Sequence, residues 1–135
     1  MGPAVTGDLE CVVLDCPDVL VLAEFYRALL GGAVNEPDPR WSVDQDFATL
    51  HTGPGLVLAF QRVTDYVPPQ WPDSGHPQQF HLDIRVADLD QAQTTCLDLS
   101  ATLLNIDPRG WRVYADPAGH PFCLLPRPQQ QRDAD

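Results

Sequence analysis

Cys11-Val-Val-Leu-Asp-Cys-Pro-Asp18 and His81-Leu-Asp-Ile-Arg-Val-Ala-Asp88 say the same thing twice. In each, a short apolar stretch runs into an acidic turn. A helix-like segment and a Gly- or Ala-bearing stop follow each one, Leu22 to Gly32 in the first copy and Leu89 to Ala101 in the second. Each copy then closes on an aromatic-led hairpin. Phe47-Ala-Thr-Leu-His-Thr-Gly-Pro-Gly55-Leu-Val-Leu-Ala-Phe60 aligns with Trp111-Arg-Val-Tyr-Ala-Asp-Pro-Ala-Gly119-His-Pro-Phe-Cys-Leu124. An internal repeat sets the architecture before any single motif does. A duplicated sheet-and-helix unit buries something between its copies, so function is sought there.

Working outward, residues 1–8 read as a loose lead-in and Leu9 to Leu14 as a strand, stopped by Cys16-Pro17-Asp18. Asp18 suits a helix N-cap, its carboxylate accepting from free N–H groups of the first turn. Leu22, Phe25, Tyr26, Leu29 and Leu30 fall at the 3, 4, 7, 8 spacing of one buried helix face, and Gly31-Gly32 ends the helix. Residues 33–46 read as a loop with one short strand. Strands at 47–51 and 56–62 flank the turn Thr52-Gly53-Pro54-Gly55. In the second copy Phe80 to Val86 is a strand and Asp90 to Leu99 a helix with Ala92, Cys96 and Leu99 inward. Thr102 to Ile106, Trp111 to Ala115 and Pro121 to Leu125 complete it as strands. The expected organisation is one domain over 9–125: module 1 at 9–62, a linker at 63–79, module 2 at 80–125, and a flexible tail at 126–135. The linker is Pro-rich and semi-rigid. Its Tyr66 and Trp71 have two open readings, as cover for an exposed edge of core or as a lid over a pocket.

Composition excludes several classes. Eight Lys and Arg stand against 19 Asp and Glu, for a net charge of −11. That field repels nucleic acid and anionic lipid. No stretch approaches the ~18 apolar residues of a membrane span, and none reads as a signal peptide. Cys11, Cys16, Cys96 and Cys123 form no Cys-x-x-Cys pair and are read as reduced cytosolic thiols, which places the protein in the cytoplasm.

Four stretches carry a family resemblance. They are Leu14-Asp-Cys-Pro-Asp18 leading into Leu22-Ala-Glu-Phe-Tyr-Arg-Ala-Leu-Leu-Gly31, then Phe60-Gln61-Arg62-Val63, Phe80-His-Leu-Asp-Ile-Arg-Val-Ala-Asp-Leu-Asp90, and Tyr114-Ala-Asp-Pro-Ala-Gly-His-Pro-Phe-Cys-Leu124. With them the chain resembles the vicinal oxygen chelate superfamily of glyoxalase I, bleomycin-resistance proteins and extradiol dioxygenases. Within it, the chain is most similar to glyoxalase-like proteins of unassigned function. The resemblance implies an α+β fold in which two tandem βαβββ modules form a U-shaped mixed sheet around a central cleft. It also implies a homodimer. In metal-using relatives, four ligands enter the cleft from the first and last strand of each module. Carried over by position, those sites are Cys11, Ala59, His81 and Cys123. Relatives place Glu, His or Gln there, so the expected carboxylates are missing and the usual divalent metal is not expected. If any metal binds, the set implied is Cys11, His81 and Cys123 with a soft ion such as zinc or iron.

The residues also speak for themselves. In His81-Leu-Asp-Ile-Arg, alternation puts His81 on one face with Asp83 and Arg85, and that polar face is read as the cleft. His81 is the candidate catalytic residue, because an imidazole titrates near working pH at about 6.5. The alternative is a packed histidine satisfied by a neighbour. Expected cleft residues are Cys11, Phe47, Ala59, Gln61, Trp71, Asp83, Arg112 and Cys123. Cys11 and Cys123 are read either as small buried hydrophobes or as soft ligands.

Three functions compete. The first is binding of a small, largely apolar or aromatic molecule without the usual divalent metal, including drug sequestration of the bleomycin type. The second is a lyase, isomerase or cyclase using His81 as general base or soft-metal ligand. The third is a structural dimer with a vestigial cleft. Glyoxalase I and extradiol dioxygenase activities are disfavoured, because the carboxylates they use are absent from the implied positions.

Overall fold

The computed structural model describes residues 7–127. The expected tail lies outside the described residues from 128 onward. Elements follow the repeat: β1 (Val12–Cys16), α1 (Val19–Leu30), β2 (Ala33–Val34), β3 (Phe47–His51) and β4 (Val57–Arg62). Then come β5 (Leu82–Val86), α2 (Leu89–Asp98), β6 (Thr102–Ile106), β7 (Arg112–Ala115) and β8 (Pro121–Pro126). The chain is α+β with two tandem βαβββ modules. Hydrogen bonding divides the strands into two sheets of order β1-β4-β3-β2 and β5-β8-β7-β6. In each, the first strand lies parallel to the last and the other pairs are antiparallel.

The helices start where the sequence caps them. The Asp18 carboxylate accepts from Leu20 N at 3.1 Å and Val21 N at 3.3 Å, and Asp88 accepts from Gln91 N at 3.1 Å. Several boundaries differ from expectation: β5 begins at Leu82 rather than Phe80, and β4 and β7 each begin one residue late. β1 begins at Val12 rather than Leu9 and runs through Cys16, which pairs with Arg62 and is fully buried. The strand therefore ends only where Pro17 removes a donor. β8 extends to Pro126, opposite Val86.

Strand alternation sends Leu14, Cys16, Ala48, Leu50, Leu58 and Phe60 of the first sheet toward α1. They meet Leu22, Phe25 and Tyr26. Tyr114, Phe122 and Leu124 of the second sheet join the same apolar cluster, so one core spans both modules. Phe25 meets Phe122 edge-on at 5.7 Å between centroids, and Tyr26 stacks on Phe60 at 6.1 Å.

Polar ties reinforce the junction. Buried Tyr26 donates its hydroxyl to Asp116 Oδ2 at 2.6 Å, from α1 to the β7–β8 turn. Asp116 Oδ1 accepts from Ala118 N at 2.8 Å and His120 N at 3.0 Å. His120 Nε2 lies 2.6 Å from the carbonyl of Asp15, and Tyr66 donates to the carbonyl of Ala118 at 2.7 Å. At Gly119, with φ of 92°, a Cβ would stand 2.6 Å from Pro68 Cβ. Only glycine lets the linker approach the turn so closely. Among the described residues, no helix is long and apolar enough to cross a membrane.

Candidate functional site: a cavity on the second sheet

In the second module Leu82, Ile84, Phe122, Leu124 and Tyr114 point toward the core. Their strand neighbours must then point the other way. Asp83 pairs with Cys123, Cys123 with Val113, and Val113 with Asn105. These four side chains form one row across the open face of the sheet. His81 sits two residues before Asp83, so it shares the face. The β6–β7 turn adds Asp107 and Arg109, and the linker adds Trp71 and Gln78. Together they line a cavity of about 510 Å³, whose apolar surface comes from Trp71, Trp111, Val113, Pro121 and Leu125. That volume is in the range that holds a small molecule.

The polar end of the cavity is compact. His81 Nε2 lies 3.2 Å from Asp83 Oδ1. One donor atom from each of His81, Asp83 and Cys123 falls within 4.8 Å of the others. Burial, followed by the adjacent Asp83 carboxylate, pushes the Cys123 thiol up to about 11. The sulfur is therefore a protonated thiol at neutral pH. Opposite it, Arg109 lies over the Trp111 ring at 4.3 Å, with its charge paired to Asp107 at 3.0 Å.

Of the sequence candidates, His81, Asp83, Cys123 and Trp71 line this cavity. Trp71 thus forms a wall, whereas Tyr66 covers core. Arg112 is a correction. Trp111 and Val113 take the cavity face of β7, so Arg112 is forced to the other side. There it reaches α2, at 2.8 Å from Asp90 Oδ1 and 3.2 Å from Gln93 Oε1. Phe47, Ala59 and Gln61 do not line the cavity, because they belong to the first sheet, and neither does Cys11, which lies just before β1 of that sheet. There the row equivalent to Asp83–Cys123–Val113 is Val13–Ala59–Thr49. It contains no ionisable group, and Ala59 is fully buried. On the same face, His51 Nε2 binds Asp38 Oδ2 at 3.1 Å with the Trp41 ring edge-on to it. Among the described residues, it is at His81, Asp83 and Cys123 of the second copy that imidazole, carboxylate and thiol converge.

Sequence reasoning missed Asn105, Asp107 and Arg109 as lining residues. Their signal was present in the Asp107-Pro-Arg-Gly-Trp111 turn, which carries an aromatic ring beside a cation.

The sequence model of the glyoxalase-like domain family matches residues 11–125. No curated protein matches the chain. Among solved structures, the fosfomycin resistance protein FosX from Mesorhizobium loti is similar at a TM-score of 0.66 and 11% identity, over 97% of this chain and 100% of that one. A glyoxalase/bleomycin resistance protein/dioxygenase family enzyme from Burkholderia phytofirmans PsJN is similar at 0.63 and 18%, over 89% and 98%. A mutant of FosX from Listeria monocytogenes, complexed with Mn(II), is similar at 0.66 and 12%, over 97% and 100%.

Proposed function

The chain belongs to the glyoxalase-like domain family of the vicinal oxygen chelate superfamily, and from that membership we propose that it binds a small, largely apolar or aromatic molecule in the cavity of the second sheet. The observation that carries this reading is the cavity's composition. Two indole rings with Val113, Pro121 and Leu125 meet the polar pair His81 and Asp83 on the β5 side, while Asn105 stands across the sheet on β6. Apolar area supplies binding energy at roughly 25 cal/mol per Å², and a few polar groups fix orientation.

The Mn(II) held by the Listeria protein is a test of the metal implied by the fold. Manganese prefers hard oxygen and nitrogen donors in an octahedral arrangement. Of the implied positions, Ala59 offers no donor, Cys11 and Cys123 offer thiols, and His81 offers one imidazole. The residues present do not fit that ion, and no step of the proposed function passes through it.

Binding is tested with a panel of aromatic fragments, followed by fluorescence of Trp71 and Trp111 and by NMR shift perturbation. The expected result is binding that Val113→Trp abolishes while the fold persists, since the added indole fills the cavity. Fragments that bind equally well to Val113→Trp overturn the reading.

One observation favours a second reading as an enzyme. The Asp83 carboxylate orients the His81 ring at 3.2 Å, an arrangement suited to a general base in lyase, isomerase or cyclase chemistry. A positioned histidine contributes roughly 10²–10⁴-fold. Turnover of a cavity ligand that survives His81→Ala unchanged removes this reading. Sequestration of a cationic drug is the binding reading with Asp83 as the counter-charge. We also propose a homodimer, supported by the open edge of β1 with Val13 exposed on it, and a cytoplasmic setting, supported by four free thiols.

A further inference from the structure

We infer that the recess between β1 and the linker is a second ligand site, built for a protonated amine carried on an apolar body. It stands apart from the cavity of the second sheet and does not depend on how that cavity is read.

The chain between Tyr66 and His81 separates the two. Trp71, Gln78 and His81 line the second-sheet cavity, Pro69, Pro77 and Phe80 line the recess, and no residue lines both. The recess encloses about 410 Å³, again within the range that holds a small molecule. Its walls are set in advance. The Tyr66 hydroxyl is tied to the Ala118 carbonyl at 2.7 Å, and Gln70 N donates to the His76 carbonyl at 2.6 Å. Pro68, Pro69 and Pro77 have fixed φ, so little backbone freedom is lost when a guest binds.

The apolar part of the recess is left open to solvent. Val13 is 40% exposed, Phe80 46% and Val67 66%, and all three line this one recess. Single exposed apolar residues need no explanation, but several gathered around one concavity mark a binding surface.

Charge selects the guest. Among the described residues, the Asp15 carboxylate has neither a hydrogen bond nor an ion pair, and no arginine lines the recess. The chain contains no lysine at all. The side-chain donors nearby are spent. Tyr66 gives its proton to Ala118, His120 Nε2 lies 2.6 Å from the Asp15 carbonyl, and His76 Nδ1 leans on Asp73 at 3.4 Å. The three prolines contribute carbonyls and no N–H. Burial first, then Asp116, Cys16 and Asp15, push the Tyr66 phenol up, so the floor of the recess already feels negative charge. An ammonium brings the absent positive charge with its N–H donors, and an apolar body covers Phe80 and Val67.

The experiment follows methyl and amide NMR shifts of the full-length protein on titration with three guests that share one ring. They are cyclohexylmethylammonium, the neutral cyclohexylmethanol and the anionic cyclohexanecarboxylate. Each is titrated into wild type and into Val113→Trp, which fills the second-sheet cavity. The ammonium should shift Val13, Val67 and Phe80 in both proteins and bind at least about threefold tighter than the alcohol, as an ion pair in contact with solvent allows. Asp15→Asn should remove that advantage and leave alcohol binding unchanged, and high salt should narrow it. The substitution keeps the backbone carbonyl that His120 contacts, and circular dichroism melts confirm its fold. Sedimentation fixes the oligomeric state of each sample, because Val13 also stands on the β1 edge. No shift at these residues with ammonium in excess, an ammonium no tighter than the alcohol, or a preference that survives Asp15→Asn overturns the inference. Shifts at Trp71 and Trp111 that vanish in Val113→Trp place the guest in the second-sheet cavity and overturn it as well. Recess binding that persists when no fragment enters the second-sheet cavity upholds the inference and sinks the cavity reading alone.

Discussion

Replacing Tyr26 by Phe removes one oxygen from the centre of the molecule and nothing else. The ring keeps its contacts with Phe25, Phe60 and Phe122, so no cavity forms. What is lost is the hydroxyl that donates to Asp116 Oδ2 at 2.6 Å, leaving that oxygen without its partner at a residue only 4% exposed. Burial first, and then the neighbouring Asp116 charge, hold the Tyr26 phenol well above its ordinary range, so it is a donor at every working pH. Burial also raises the Asp116 carboxyl, while His120 and the Tyr26 hydroxyl pull it back down. Stability from a raised carboxyl is fully present below the ordinary carboxylate pKa and is lost as pH climbs through the raised one. The tyrosine limits that loss, because its hydrogen bond favours the ionised form. At pH 8, where more of Asp116 is ionised, Tyr26→Phe should cost up to about 1.5–3 kcal/mol, the range for a hydrogen bond to a charged group. At pH 4, where more of the acid is protonated, the loss should shrink toward the about 0.5–1.5 kcal/mol of a neutral bond. Urea denaturation of both proteins at the two pH values measures the gap. A gap below about 0.5 kcal/mol at pH 8, or one that narrows as pH rises, refutes the reasoning.

Two further outcomes are expected. Gly119→Ala, with φ at 92° and Pro68 in the way, should lose about 1–3 kcal/mol of stability and free the linker from the β7–β8 turn. Thermal melts and limited proteolysis within 63–79 check it, and a variant with unchanged melting and cleavage would show that the close approach does not matter. Burial pushes the Cys16, Cys96 and Cys123 thiols up to about 11, with Asp83 assisting at Cys123, whereas Cys11 is half-buried. Iodoacetamide at pH 8 should therefore label Cys11 first, as read by peptide mass spectrometry, and prior labelling of any other thiol would contradict this.

The topology was legible because it is written locally and twice. Asp18 and Asp88 each cap a helix, and strands 47–51 and 102–106 fall at the expected residues. The start of β1 was less legible, since Leu9 is as apolar as Val12 and only pairing with β4 separates them. The site divides the same way. Alternation along one strand placed His81 with Asp83. That Cys123 stands opposite Asp83 depends on the parallel register of two strands far apart in sequence. Arg112 was misplaced because its side of β7 is fixed by which neighbours enter the core, and Tyr114 does. That the second module's face is the polar one follows from the contrast between the Val13–Ala59–Thr49 and Asp83–Cys123–Val113 rows, which exist only once register is known.

The parallel pairing of first and last strands also has a consequence in time. β4 and β8 are the central strands of their sheets and also the last of each module to be made. During synthesis the first sheet can close soon after Arg62 has emerged. β5, by contrast, has no neighbour in its sheet until β8 arrives, roughly 2–8 s after β5 itself at about 5–20 residues per second. Throughout that interval the face of α1 that will meet Phe122 stands uncovered, and Tyr26 waits for Asp116. A ribosome that stalls between these points holds a half-built core in the open, so the step most exposed to misassembly is the delivery of a single six-residue strand.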